Sequence, residues 1–390
     1  MPTEAFITPE LVRWARERDD LTTETAAKRV NVKPEKFDAW EKGNARPTLR
    51  QAQTLANKLK IPLGYLYLSA PPVETLALPD LRTVADEPPR RPSPDLFDLL
   101  NDVLRKQQWY REHQEAAMAG PIPFVGRYSL NDSRDTIAAD ITATLGVNDE
   151  MRRRATSWEH FLRLFIGQAE AAGILVLRSG VVENNPHRKL SVREFRGFAI
   201  SDDLAPLVFI NSQDAKVAQT FTLAHEIAHL WVGESGVSNP DYRQLSVQQS
   251  NSTERLCNRV AAEILVPRED FLLKWDGNGT VEANFQTLSA RYRVSQLVVL
   301  RQSFDLELLT REVYWNHFDR LIGQKGSAKG EGGSFYATLF ARNSNTLTTA
   351  LITAVAEGTV LHRDAARLLN VKVKTLDGIA ERLLGSRLSG

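Results

Sequence analysis

Phe221-Thr-Leu-Ala-His225-Glu226-Ile-Ala-His229-Leu-Trp231 sets two histidines four residues apart with a glutamate directly after the first. On a helix, positions i and i+4 share a face, so both imidazoles can meet one ion with Glu226 beside them. Two neutral imidazole nitrogens suit Zn²⁺, and a neighbouring carboxylate can take a proton from a water attacking a carbonyl. Phe221, Leu223, Ala224, Ile227, Ala228 and Leu230 make the predicted helix apolar nearly all round, which predicts burial. Polar side chains on a buried helix need partners, and a metal supplies one. The plainer alternative is a structural helix carrying two satisfied histidines. Upstream, Val208-Phe209-Ile210 predicts a short strand, and Asn211-Ser212 offers a cap for the helix.

A catalytic zinc takes three protein ligands and keeps one position for water. The next polar-apolar stretch, Ser252 to Pro267, predicts a helix whose buried face is Leu256, Val260, Ala261, Ile264 and Leu265. Glu254 lies in its first turn, where it either ligates the ion or complements the helix N-terminus. Asn258 follows at i+4 and suits support of the metal site from outside the ligand set. Glu263 is a rival ligand, set late in the helix among apolar residues.

The remainder of the chain bounds the class. It has 390 residues, so two or three domains are expected, and 42% hydrophobic with 25% charged residues describes a globular protein. No apolar run reaches the ~18 residues of a membrane span, and no signal-peptide pattern opens the sequence, so a cytoplasmic protein without membrane contact is expected. Cys257 is the single cysteine, which fits a reducing compartment. A net charge of +1 excludes general polyanion binding, so nucleic-acid contact needs a local patch.

Residues 1–70 predict a helical bundle: Leu11–Arg18, Thr22–Val30, Pro34 to about Lys42, and Leu49–Leu59, with Asn31-Val32 as the tight turn between the second and third helices. Helix, short turn, helix is a DNA-reading layout. Lys33, Lys36, Lys42 and Arg46 are the candidate DNA contacts. Glu35, Asp38 and Glu41 offset the lysines, however, and the first 70 residues hold 12 Lys+Arg against 9 Asp+Glu. That is a thin footprint for duplex DNA, whose phosphates supply much of the affinity. Docking of a protein by this module is the alternative.

Residues 71–95, with Pro71-Pro72 and Pro88-Pro89-Arg90-Arg91-Pro92-Ser93-Pro94, predict a linker, and residues 96–172 a helical connecting region with helices over Leu96–Ala119, Ser133–Leu145 and Ser157–Ala172. Arg152-Arg153-Arg154 suggests a solvated helix start. Residues 173–325 carry predicted strands at Ile174–Leu177, Glu194–Ile200 and Leu207–Ile210, then the two motif helices with a loop from Gly233 to Ser250 between them. Residues 281–309 are helical, and Leu288–Leu300 has helix-turn-helix texture with Val294-Ser295 in the turn; plain packing explains it as well. Tyr292 and His317 are candidates to stabilise an oxyanion, a role the sequence leaves open. Residues 326–390 begin with a glycine-rich stretch and continue as helices, where Asp364–Leu376 again has helix-turn-helix texture.

Two resemblances follow from these residues. Val32 to Thr48, with Trp40-Glu41-Lys42-Gly43 and Pro47, resembles the XRE (Cro/C1-type repressor) family. Glu194-Phe-Arg-Gly-Phe-Ala-Ile-Ser-Asp202, Phe209-Ile-Asn211, the His225–His229 motif and Glu254-x-x-Cys257-Asn258-x-x-Ala261-Ala262-Glu263 resemble the ImmA/IrrE family of zinc metallopeptidases, whose members commonly follow an XRE domain. Cys257 stands where that family has alanine and Val260 where it has phenylalanine. The resemblance implies His225, His229 and Glu254 as zinc ligands and Glu226 as general base. It also implies regulatory proteolysis of a repressor, antitoxin or stress regulator.

The expected architecture is mostly helical α+β: an all-α helix-turn-helix domain, a zincin-like domain with a small sheet packed on the motif helix, and a helical C-terminal region. The expected partners are a protein substrate, double-stranded DNA through residues 1–70, and a second copy of the chain, because DNA-reading modules of this type work as dimers. The rival expectation is a DNA-binding or antitoxin-like regulator whose metal site is a sensor or scaffold.

Overall fold

The computed structural model describes residues 3–74, 76, 78–79, 92–238, 252–323 and 334–387. Most of the proline-rich stretch and the glycine-rich stretch 326–333 lie outside the described residues. The chain divides into two units, Met1–Ala77 with Arg91–Leu100, and Leu78–Arg90 with Asn101–Gly390.

The first unit is helical. It holds α1 (Pro9–Arg18), α2 (Thr23–Val30), α3 (Pro34–Glu41), α4 (Leu49–Lys58) and a 3-10 turn at Leu63–Tyr67. Local chemistry sets the boundaries. Thr22 accepts a hydrogen bond from the Thr25 N–H at the start of α2, and Thr48 with Gln51 forms a capping box on α4. Asn31, at φ 59°, makes the left-handed turn between α2 and α3. Leu11, Ala15, Ala27, Phe37, Trp40 and Leu55 form the centre of the core. By sequence α3 with its caps is neutral. Folded, Glu41 turns inward and accepts a hydrogen bond from Arg16 Nε at 2.7 Å. The charges left facing solvent on Lys33–Lys42 then sum to +1.

Helix α5 (Pro94–Ala116) begins in the first unit and continues in the second. The second unit proceeds through α6 (Arg134–Leu145), α7 (Asp149–Arg154), α8 (Trp158–Ala171), β1 (Leu175–Ser179), β2 (Gly197–Ile200), β3 (Leu207–Asn211), α9 (Lys216–Val232), β4 (Gly236–Ser238) and α10 (Ser252–Leu265). Then follow α11 (Arg268–Lys274), α12 (Val281–Tyr292), α13 (Gln296–Asp305), α14 (Arg311–Gly323), α15 (Phe335–Asn343), α16 (Asn345–Ala356), α17 (His362–Leu368) and α18 (Thr375–Arg387). The protein is mostly helical α+β with one four-stranded sheet, in line with the expected class.

The sheet order is β1-β3-β2-β4, with β1 parallel to β3 and the other pairs antiparallel. Its central strands are buried on both faces, which is why they are continuous apolar runs. Helix α9 packs on β2 and β3, α10 and α6 pack on α9, and α8 on both α9 and β1. One hydrophobic core runs through all of them, so α6 and α8, from the stretch before residue 173, share the core of the motif helix. Strand β4 falls in what the sequence suggests is loop. Three residues are too few to carry a period-2 pattern.

Two further local expectations fail. Asn211-Ser212 does not cap α9, which starts at Lys216 after Ala215 with no side-chain cap. Asn211 ends β3 instead: its Nδ2 donates to the Phe195 carbonyl at 3.1 Å and its Oδ1 accepts from the Gln213 N–H at 3.1 Å, turning the chain before the helix. The second is the Arg152–Arg154 triplet, which ends α7 and does not start a helix. Arg152 is buried. Its guanidinium donates to the carbonyls of Tyr292 and Ile264, each at 2.8 Å, and lies against the Phe161 and Tyr292 rings. It thus satisfies the carbonyl ends of α10 and α12 in one stroke.

The far end of α9 is closed by the segment after α5. The N–H groups of Gly126 and Tyr128 bond the Leu230 and Trp231 carbonyls at 2.9 and 3.0 Å. Gly233 caps the helix at φ 78°, and a Cβ there would lie 3.0 Å from the Gly126 Cα. Two glycines therefore let backbone cross backbone at the base of the motif helix.

Candidate metal centre

His225, Glu226 and His229 share the inner side of α9, and Glu254 reaches them from the first turn of α10, which packs along α9. All four are buried. His225 Nε2 and His229 Nε2 are 3.1 Å apart, Glu254 Oε2 is 3.3 Å from His225 Nε2, and Glu254 Oε1 is 3.1 Å from His229 Nε2. Ligand atoms around a tetrahedral zinc at about 2.0–2.1 Å are themselves about 3.3 Å apart. The donor set, two imidazoles and a carboxylate, and its spacing therefore fit that ion. These three residues are a group of metal-ligating type among the described residues.

The electrostatics agree. Burial alone would raise the Glu254 carboxyl, but His225 and His229 outweigh it and bring the group down to about 2. Burial likewise opposes a proton on His225, yet the Glu254 charge and hydrogen bond, with Glu226 and Asn258, raise it; at His229 burial prevails and lowers it. The cluster is thus arranged to hold a positive charge between His225 and Glu254, the position a cation would take in place of a proton.

Glu226 differs from Glu254. Burial pushes its carboxyl up to about 8, with His225 and Ser238 pulling back and Glu254 adding to the rise. Ser238 Oγ, on β4, donates a hydrogen bond to Glu226 Oε1, while Oε2 is buried with no hydrogen-bond partner. Gly197 on β2 makes room: a Cβ there would lie 2.7 Å from Glu226 Oε1 and 2.9 Å from the Phe209 carbonyl. Ser238 and Gly197 are site residues that sequence reasoning missed. Gly197 sits within the quoted Phe-Arg-Gly-Phe run, but the collision it avoids is visible only once β2 lies against α9.

The other candidates separate cleanly. Asn258, one turn along α10 from Glu254, lies beside His225 and favours its protonated form. Glu263 is turned away and accepts from the Arg268 N–H at 2.9 Å, fixing the start of α11. Tyr292 gives its hydroxyl to Asp270 Oδ2 at 2.7 Å, and His317 packs with Arg320 and Glu282, so neither hydroxyl nor imidazole stands at the cluster. Burial pushes the Cys257 thiol well up, which makes it a packing residue. Of the candidate DNA contacts, all four are exposed. Lys36 lies over the Trp40 ring, Lys42 pairs with Asp38 at 2.7 Å, and Arg46 stacks on Phe6 near Glu4.

A short mixed sheet, a two-histidine helix packed beneath it and an acid from the next helix define a zincin-like architecture. Residues 169–303, about a third of the chain, match the model of a peptidase family described as the IrrE N-terminal-like domain, which supports the ImmA/IrrE resemblance over that stretch. Residues 343–382, spanning α16, α17 and the start of α18, match the model of a domain of unknown function. Comparison with curated proteins and with solved structures finds no match. No helix among the described residues is long and apolar enough to cross a membrane.

Proposed function

We propose that this protein is a cytoplasmic zinc-dependent endopeptidase that cuts a protein partner (a repressor, antitoxin or stress regulator) at a restricted site. The observation that carries the reading is the convergence of three buried ligand atoms beside a glutamate whose Oε2 has no protein partner. A structural zinc has no use for that glutamate.

His225, His229 and Glu254 would hold the ion. Bound there, zinc supplies Lewis acidity that makes water nucleophilic near neutral pH and polarises a carbonyl. Glu226, ionised by the positive charge that the ligands would gather beside it, would take the proton of the attacking water at Oε2 and later pass it to the leaving amine. Ser238 holds the other oxygen of that carboxylate in place. The apolar walls of α9 and α10 keep bulk water from the acid. A peptide laid along the sheet in extended form brings its backbone carbonyl past this point.

The helix-turn-helix unit serves targeting, to double-stranded DNA or to a DNA-bound protein, and a homodimer is the expected state for such a module. Burial of Glu41 supports the DNA arm slightly, since it removes one negative charge from the exposed side of α3. The rival is a DNA-binding regulator whose metal centre senses or stabilises.

The test begins with metal content. Wild type should bind about one zinc per chain, and Glu254→Ala should bind it far more weakly. Zinc-loaded wild type incubated with a proteome-derived peptide library should then yield cut peptides, read by mass spectrometry, that Glu226→Gln spares. A wild type that takes up no zinc when zinc is supplied sinks the reading. One that binds zinc and cuts nothing favours the regulator.

A further inference from the structure

The sheet has two edge strands, β1 and β4, and each meets another part of the chain. Helix α15 packs on β1, one of the two edge strands. At the other, β4 pairs with β2 through Gly197 with Ser238, Phe198 with Val237 and Ala199 with Gly236. The outward-facing N–H of Val237 donates to the carbonyl of Pro79 at 3.0 Å. Pro79 belongs to the stretch the sequence marks as linker. Within that stretch Val73 is 91% exposed, whereas Leu78 is 7% exposed and so anchored.

The β4 edge is the one beside the chemistry. Ser238, the next residue after Val237, carries the hydrogen bond to Glu226. An extended peptide that adds to the sheet on the side of Ser238 and Glu226 must use the Val237 N–H. We propose that Leu78–Pro79 is a built-in occupant of the substrate edge, a segment of this chain that competes in cis with an incoming peptide for β4. The proposal rests on the peptidase reading and adds its regulation.

Proline suits an occupant that must be displaced. Pro79 has no N–H, so it accepts from Val237 and cannot return a bond to the β4 carbonyls. A true substrate strand offers both groups and wins once it is present at sufficient concentration. The linker stretch thereby acquires a task besides connection: whatever shifts Leu78 frees the edge.

The test uses the full-length, zinc-loaded protein. Hydrogen–deuterium exchange should find the Val237 amide protected in wild type. In Leu78→Asp it should exchange roughly tenfold faster or more, with α9 and α10 amides unchanged as the control for folding. Leu78→Ala should shift it the same way by less. With the best-cut library peptide as substrate, freeing an edge that is otherwise mostly occupied should lower KM about three- to tenfold and leave kcat unchanged. Unchanged exchange at Val237 in both variants overturns the proposal, and so does a freed Val237 with KM unmoved. If wild type and every variant cut nothing while Val237 is freed, the peptidase reading falls and takes the competition with it, and the exchange result still records the contact.

Discussion

Helix α3 and the α9–α10 pair each carry several ionisable side chains within a few turns, and the fold treats them in opposite ways. On α3 most of the charges are answered locally. Lys42 pairs with Asp38 four residues before it, Lys36 lies over Trp40, and Glu41 turns inward to Arg16. On α9 and α10 the ionisable groups are taken out of water, brought within about 3.3 Å of one another, and still leave the Glu226 Oε2 unbonded. An exposed pair is worth little, roughly 0–1 kcal/mol, and its presence implies little. Burying an ionisable group costs several kcal/mol unless something compensates. The contrast shows where a ligand is to be expected: where the fold has accepted the cost of burial and not used up the lone pairs.

The sharpest way to break that contrast is Glu226→Gln. It keeps the shape and removes the base. The expected result is a loss of about 10²–10⁴-fold in kcat, the usual contribution of a general base, with zinc per chain unchanged by metal analysis. Retained activity would mean that the orphaned oxygen is incidental.

Arg152 sharpens it from the other side. It is as buried as the metal cluster, but two carbonyls and two rings satisfy it, and burial lowers its pKa to about 10 without leaving a donor aimed at open space. By the same reasoning it is structural. Arg152→Ala should destabilise the protein by about 2–4 kcal/mol in a denaturant titration, since charged hydrogen bonds to two helix ends are lost together. Zinc bound per folded chain should not change. A loss of metal affinity at intact stability would contradict the distinction.

Gly197→Ala gives a smaller effect placed between these two. The added Cβ meets Glu226 Oε1, the Thr222 Cγ2 and the Phe209 carbonyl, so something must move. Overpacking of this kind costs about 1–3 kcal/mol. The Glu226 side chain can yield but the Phe209 carbonyl of the neighbouring strand cannot, so kcat should fall about tenfold or more and thermal stability should fall with it.

These positions also mark how far the sequence could be read. The grouping of His225, Glu226 and His229 is legible because a spacing of four translates directly into a shared helix face, while Glu254 is read from the first turn of the next helix and its place beside them depends on how α10 packs on α9. The helices of the first unit were legible for the same reason, through Pro34, Thr48 and Asn31. Ser238, Gly197 and the role of Pro79 were not. Each depends on a contact between separate elements (Ser238 with Glu226, Gly197 with Glu226, Pro79 with Val237) that no local pattern announces, and β4 has only three residues and no periodic signature. A basic triplet is ordinarily solvated, and only the meeting of three helix ends makes Arg152 a core residue. Asn211 has the right side chain for a cap but spends it on the turn before α9.

The mildest change tests the other half of the comparison. If α3 is locally discharged, removing one of its charges should do little to the fold. Lys42→Ala breaks only an exposed pair with Asp38, so the first unit should lose at most about 0.5 kcal/mol. Its effect on DNA is the informative part. If α3 lies against phosphates, Lys42→Ala should reduce the slope of log K against log salt by about one, because one fewer counterion is released on binding. If the unit docks a protein instead, non-specific duplex DNA should bind wild type and variant equally weakly, with the same shallow slope. The lysine is then committed to Asp38 in function as it is in the structure, and the +1 left on the exposed side of α3 is too little to hold a duplex.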